Sequence, residues 1–342
     1  MILFEEIFKK QSRRRRSMYA PGKNPRSHQR KGGGFGSQDL VVDANSLDAP
    51  MSFRRAAQAF KTGGAVRAGV ELDKRARSDE EHRKVMQDLL NTKEKTTGLT
   101  LAEALDRASR VPSTHSMVNN ASKRAEQLGY VKDIVQSEKK KMAKWGVPLQ
   151  FKKQAHLIIG LPGAGKSTLG DIIQRQTGSI LVDSDEVKKR IKGFNGGLHA
   201  GPVHEESSFV AKHFLKSTVK SGANFVYPTV GDSPAKLMKR VKQLQKDGYH
   251  VTVHHVDVPV KFAEERVAKR YLSKTRAVPI SVATGAGTKT RVSFDAVSKH
   301  VNGWAAYSAH DIPGLPVRYA MLGSKGYKLP KASSRNRDYT DA

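Results

Sequence analysis

The run Gly160-Leu161-Pro162-Gly163-Ala164-Gly165-Lys166-Ser167 constrains this chain more than any other feature, because it has the spacing G-x-x-x-x-G-K-[ST] in the setting that the spacing requires. An apolar stretch, 155–159, precedes it, and a helix-like stretch, 168–176, follows. The glycines at 160, 163 and 165 permit a tight loop whose N–H groups turn inward, and the positive end of the next helix adds a field that favours a polyphosphate. In such a loop Lys166 reaches the β- and γ-phosphates and the Ser167 hydroxyl ligates Mg²⁺, with Thr168 completing the nucleotide-binding run. ATP or GTP is the expected ligand. A Gly-rich turn that merely ends in Lys-Ser would have to coincide with strand and helix in the correct order.

The 342 residues leave room for one mid-sized domain with substantial extensions, or for two domains. There are no cysteines, which excludes a disulfide framework, a thiolate zinc site and a cysteine nucleophile. The first eight residues hold a short apolar run with the basic cluster after it, the reverse of a secretory signal. No stretch has the length to span a bilayer, so a soluble protein of the cytoplasm is expected. The net charge of +29 attracts polyanions. It is distributed among Arg13 to Arg16, Lys139 to Lys141 with Lys144, and Lys188 to Arg190. The first of these clusters reads as a basic arm that contacts nucleic acid or another polyanion without specificity, or that serves solubility alone.

Residues 1–50 are polar, basic and Gly-rich, and are expected to stay flexible. Over 51–148 the composition predicts a helical extension. Thr100-Leu101-Ala102-Glu103 has capping-box spacing, and Ala121, Ala125, Leu128, Val131 and Ile134 recur at helical steps within a helix expected over 118–145. Pro148 closes this region. Over 149–322, apolar runs at 156–159, 179–182, 224–227 and 251–256 bracket helical stretches at 168–176, 203–221 and 234–247, with a further strand at 316–321. That alternation predicts an α/β fold of the P-loop NTPase or kinase type, a mostly parallel sheet with helices on both faces. Another helix is expected over 260–271, and Gly285-Ala286-Gly287 reads as a mobile loop. Residues 323–342 read as a flexible basic tail.

Leu181-Val182-Asp183-Ser184-Asp185 places two carboxylates at the carboxyl end of a strand, where ligands bind in open α/β sheets. A carboxylate there can accept a hydroxyl proton or hold Mg²⁺ through water. Asp183 suits a helix N-cap, with Glu186 three residues on, which leaves Asp185 as the candidate base. Arg266, Arg270 and Arg276 lie on or after the helix that follows the 251–256 strand, where they can neutralise charge on a transferred phosphoryl group. His254 and His255 are adjacent in a strand and face opposite sides, so they cannot jointly ligate a metal. His199 and His204 lie in or near a Gly-rich loop, where surface exposure is expected and substrate contact is the other reading.

The phosphate loop, Val182-Asp183-Ser184-Asp185, Gly222-Ala223-Asn224-Phe225-Val226, Gly248-Tyr249, and Arg270-Tyr271 followed by Thr275-Arg276-Ala277-Val278-Pro279 together resemble the zeta-toxin kinases over roughly 154–322. The resemblance implies transfer of the γ-phosphate of ATP or GTP to a sugar hydroxyl of UDP-N-acetylglucosamine, with Lys166 on the phosphates, Asp185 as catalytic aspartate and Arg270 and Arg276 as phosphate-stabilising arginines. It also implies an antitoxin-like inhibitor as partner. One departure stands out. Where the family has an acidic residue at a strand end, this chain has Val226-Tyr227-Pro228-Thr229-Val230-Gly231, and proline offers no carboxylate to a substrate hydroxyl. Glu205, Glu206 and Thr229 are the candidates for the acceptor side, although acids at a helix start also favour the helix dipole. The other reading is a nucleic-acid- or particle-associated basic protein whose nucleotide domain regulates or has decayed.

Overall fold

The computed structural model describes residues 41–44, 49, 51–114, 118, 120, 123–274, 276–310 and 318–327. Its strands are β1 (Val41–Asp43), β2 (Gln154–Gly160), β3 (Ile180–Leu181), β4 (Phe225–Thr229), β5 (His250–Asp257), β6 (Gly303–His310) and β7 (Arg318–Lys325). They form one sheet in the order β1-β7-β6-β5-β2-β4-β3. The β6–β7 pair is antiparallel and every other pair is parallel.

The phosphate-loop strand β2 lies near the middle, between β5 and β4. Its side chains alternate between the two faces of the sheet. Ala155, Leu157 and Ile159 enter one apolar cluster and Ile158 the other, and both clusters are buried. A strand covered on both faces reads as an unbroken apolar run, which is why 155–159 is legible without alternation. Each fully buried Leu or Ile there contributes about 1.5–3 kcal/mol relative to exposure.

The first cluster is completed by α1 (Met51–Asp73), α4 (Arg124–Lys144), α7 (His204–Ser221), α8 (Pro234–Lys246) and α11 (Lys289–Val297). The second takes residues from α5 (Lys166–Thr177), α9 (Val260–Lys274) and α10 (Ser281–Ala286). Of the N-terminal helices, α1 and α4 therefore pack directly on the sheet. The helix α1 lies on β7 and α11, α2 (Asp79–Asn91) on α9, and α4 on β3, α7 and the short α6 (Ser184–Lys188). From α4, Glu138 accepts a hydrogen bond from the N–H of Leu181 (3.2 Å), so the two-residue edge strand β3 is closed by a carboxylate. A third cluster joins Leu99 and, from α3 (Leu101–Ser109), Leu101 and Ala104 to Tyr271 and Ala277. The buried Tyr271 hydroxyl donates to the Leu99 carbonyl (2.9 Å).

Several expectations need correction. The stretch expected to be a flexible arm contributes β1 at 41–43, parallel to β7, while 1–40 lie outside the described residues. Strand β7 runs on to Lys325, into the stretch read as a tail. The helix expected from 118 begins at Arg124, after a turn at Val118 and without a side-chain N-cap, because Asn119-Asn120 favours turns over helix interior. The run Gly285-Ala286-Gly287, read as a loop, ends α10, with Gly287 as C-cap at φ +41°. Strand β6 was not anticipated at all.

Pro228 sits within β4 at little cost. Val226 accepts from the Val182 N–H on the β3 side, so Pro228, two residues on, turns its missing donor to the same side. The strand β3 has already ended there, since its last partner on β4 is Val226. Among the described residues, no helix is long and apolar enough to cross a membrane.

Candidate active site

Strand β2 leaves the sheet at Gly160, which pairs with Val256 of β5 and donates its N–H to the Val230 carbonyl (3.1 Å). Gly160 has φ +154°, and a Cβ there would stand 2.4 Å from the Val256 carbonyl oxygen. Gly163, at φ +81°, would bring a Cβ to 2.9 Å from the Ala263 carbonyl oxygen. Both positions admit only glycine on steric grounds. The loop then closes round its lysine. Lys166 Nζ donates to the carbonyls of Gly160 and Leu161, each at 2.8 Å. Arg266 Nη1 donates to the Gly163 carbonyl (3.1 Å) and the Tyr319 hydroxyl to the Gly165 carbonyl (2.6 Å). Burial pulls the Lys166 ammonium down to about 8, against the attraction of Asp185 and Asp183 and with the repulsion of Arg270 and Arg276. Ser167 is exposed in the first turn of α5, with Thr168 partly buried beside it.

The carboxylates stand where β3 gives way to α6. Asp183 caps that helix, accepting from the Asp185 N–H (2.9 Å), as its sequence position suggests. Burial, then the neighbouring Asp185 charge, push Asp183 up to about 6. Asp185 behaves in the opposite way. Arg276 Nη2 lies 2.6 Å from one of its oxygens and Lys188 Nζ 3.2 Å from the other, and these cations outweigh the effect of burial and hold the carboxyl well below its ordinary range. Arg270 is lowered by burial and then by Arg276, while Asp185 and Asp183 oppose the shift. Lys166, both aspartates, Arg270 and Arg276 thus form one electrostatic cluster at the carboxyl edge of the sheet, where α/β folds bind ligands.

The acceptor-side candidates separate. Thr229 ends β4 in register with Ile159 of the phosphate-loop strand and is partly exposed. Glu205 is exposed at the start of α7, and His204 beside it feels the charges of Lys188 and Asp185. Glu206 turns the other way. It is buried and accepts from Gln127 Nε2 of α4 (3.3 Å), so it joins two helices instead of facing an acceptor. His254 and His255 point to opposite faces, the first to His156 and Tyr307 and the second to Thr290. Lys188, named from sequence only within a basic cluster, and Tyr319 were not among the candidate site residues. The Asp185-x-x-Lys188 spacing on a helix was a usable signal for the first. Nothing local marks Tyr319, which reaches the loop from the far strand β7.

Chemically, the cluster offers an ammonium and two guanidinium groups beside an inward-turned loop, with the Asp185 carboxylate held firmly ionised at the edge. That set suits a polyphosphate and a hydroxyl nucleophile.

The sequence matches the family model described as Zeta toxin over residues 138–306. No curated protein matches it. Among solved structures, it is similar to AvrRxo1-ORF1:-ORF2 with ATP at 15% identity and TM-score 0.46, covering 61% of this chain and 70% of that one. The PezAT toxin-antitoxin system of Streptococcus pneumoniae is matched at 15% identity and TM-score 0.41, over 54% of this chain and 78% of that one. The segment 138–306, which carries the phosphate loop, Asp185, Arg270 and Arg276, is therefore zeta-toxin-like, with a P-loop kinase type of fold.

Proposed function

We propose that the protein is a phosphotransferase that moves the γ-phosphate of ATP or GTP to a hydroxyl of a small-molecule acceptor. The observation that carries this reading is the convergence of Lys166, Asp185 and the Arg270–Arg276 segment, from three separate stretches of chain, at the mouth of a glycine-shaped phosphate loop. On nucleotide binding, Lys166 exchanges two carbonyl oxygens for phosphate oxygens. Arg270 and Arg276 neutralise charge on the transferred group. Asp185, ionised at neutral pH, accepts the hydroxyl proton from the acceptor. Mg²⁺, bound with the nucleotide, would supply further charge neutralisation, and the Ser167 hydroxyl and the Asp183 carboxylate are hard oxygen donors of the type that would hold it.

The zeta-toxin likeness makes UDP-N-acetylglucosamine the first acceptor to examine, and Pro228 in place of an acidic residue makes a different acceptor the natural second choice. An antitoxin-like protein that covers the nucleotide site is the partner we propose on the same ground. A polyanion-binding role draws support from α8, whose Lys236, Lys239, Lys242 and Lys246 are exposed.

Transfer of label from γ-labelled ATP and GTP, with Mg²⁺, to nucleotide sugars, nucleosides and 5′-hydroxyl oligonucleotides tests the proposal. Label in one acceptor, lost in Lys166→Ala and Asp185→Asn, supports it. Nucleotide binding without transfer to any acceptor would instead favour the polyanion-binding reading.

A further inference from the structure

The stretch 73–82 joins α1 to α2 across the carboxyl edge of the sheet and is tied down on both sides. Asp73 accepts from Arg291 of α11 at 2.6 and 2.8 Å, and the same guanidinium donates to Asp257 at the end of β5 at 2.9 and 3.1 Å. Lys261, in the first turn of α9, donates to the Arg77 carbonyl (2.7 Å) and pairs with Asp79 (2.6 Å). His82 lies 2.8 Å from Glu264 and 3.4 Å from Glu265 on α9.

Arg75 stands between these anchors. Its guanidinium carbon is 4.1 Å from the centre of the Phe53 ring, and its Nη1 is 3.4 Å from Ser308 Oγ. Ser308 of β6 is in register with Asp257 of β5, one residue past Val256, which is level with Gly160. Arg75 is therefore at the height of the phosphate loop and about 10 Å, two strand spacings, to its β6 side. It is also close enough to Arg266 for that charge, after burial, to help lower it to about 10, and Arg266 itself holds the Gly163 carbonyl of the loop. Two guanidinium groups so placed flank one side of the loop.

The direction of the reaction says what belongs on that side. In phosphoryl transfer the attacking and leaving oxygens lie roughly in line through the phosphorus. Asp185 and Arg276 stand past β3, so the acceptor approaches from the β4–β3 side of the loop. The nucleoside must then leave toward β5 and β6.

We propose that Arg75, carried by the 73–82 strap, binds the donor nucleotide at the phosphate nearest the nucleoside, which makes the helical extension part of the donor site. The proposal rests on the donor half of the proposed function.

Binding of ATP and of inorganic pyrophosphate to the full chain, measured by calorimetry for the wild type, Arg75→Gln, Arg75→Lys and Lys166→Ala, tests it. Gln removes the charge and the guanidinium that stands over Phe53 and reaches Ser308, while Lys keeps a cation there without the planar fork. Arg75→Gln should weaken ATP binding roughly tenfold or more, the size of one lost charge-assisted contact, with Lys restoring part and pyrophosphate affinity unchanged. Equal loss for ATP and pyrophosphate would assign Arg75 to the shape of the loop and overturn the proposal. Unchanged ATP affinity in Arg75→Gln, with binding abolished in Lys166→Ala, overturns it while leaving the donor reading intact. ATP that fails to bind the wild type overturns both.

Discussion

Arg276 Nη2 lies 2.6 Å from Asp185 Oδ2, and Lys188 holds the other oxygen of the same carboxylate at 3.2 Å. The pair fixes two things at once. The carboxylate stays ionised through the neutral range, and the guanidinium is held beside the mouth of the phosphate loop before any nucleotide arrives.

Removing Arg276 should therefore change the pH dependence as well as the rate. The folded-state pKa of Asp185 is depressed, so the group contributes stability above its unfolded pKa near 3.8, and that contribution is lost as pH falls toward the folded value. In Arg276→Ala the depression shrinks, and the acid limb of kcat/KM moves to higher pH. A pH–rate profile carried down to about pH 3 checks this, with a roughly 100-fold or larger loss of kcat expected alongside. An unmoved acid limb would disconnect Asp185 from the proton transfer.

Asp183 titrates in the opposite sense. Its folded pKa of about 6 lies above the unfolded value, so the native state takes up the proton more readily and stability falls as pH rises from about 4 to 6. Asp183→Asn keeps a good N-cap for α6 and removes the buried charge beside Asp185. Denaturant melts should find the variant more stable at pH 7 by about 1–2 kcal/mol, with a flatter profile between pH 4 and 6. Phosphate transfer should fall in the same protein.

The glycines of the loop allow a steric test. Gly160→Ala sets a methyl group against the Val256 carbonyl oxygen at the junction of β2 and β5, and backbone cannot move aside as a side chain would. We expect a loss of more than about 2 kcal/mol in unfolding free energy together with ATP binding. Gly98→Ala makes a control, because a Cβ there meets nothing within 4 Å and only the positive φ opposes it.

Arg291 bridges Asp257 of the sheet and Asp73 of α1, and its side chain is as buried as that of Asp257. Arg291→Met strands a buried carboxylate and should cost about 3–5 kcal/mol in a urea melt. Limited proteolysis should then cut between α1 and α2 before it cuts within the sheet, because the 73–82 strap loses its anchor on α11.

Legibility differed by element for physical reasons. Strands β2 and β5 are apolar runs buried on both faces, and their neighbours supply turn residues, so their positions were readable within a residue or two. Strand β6 escaped notice because Ala305, Ala306 and Ala309 are helix formers by propensity, and only pairing with β5 and β7 makes that stretch extended. Helix α10 escaped because Gly285 and Gly287 look like punctuation, whereas Ala283 and Ala286 bury against the second cluster and hold the turn.

What the sequence by itself determined is the chemistry of contiguous backbone. Gly160 to Ser167, with strand before and helix after, can do little but form a phosphate loop, and Asp183 can cap α6 because a cap acts over two or three residues. The tertiary structure alone decided which distant charges meet. Arg276 reaches Asp185, Arg75 reaches the edge near Arg266, and Tyr319 reaches Gly165, because the sheet order brings the ends of β3, β5, β6 and β7 to one edge. It also turned Glu206 toward Gln127 and away from the loop. Local sequence fixes backbone conformation through short-range sterics and hydrogen bonds, whereas the direction of a side chain across a sheet depends on strand order, which no single segment encodes.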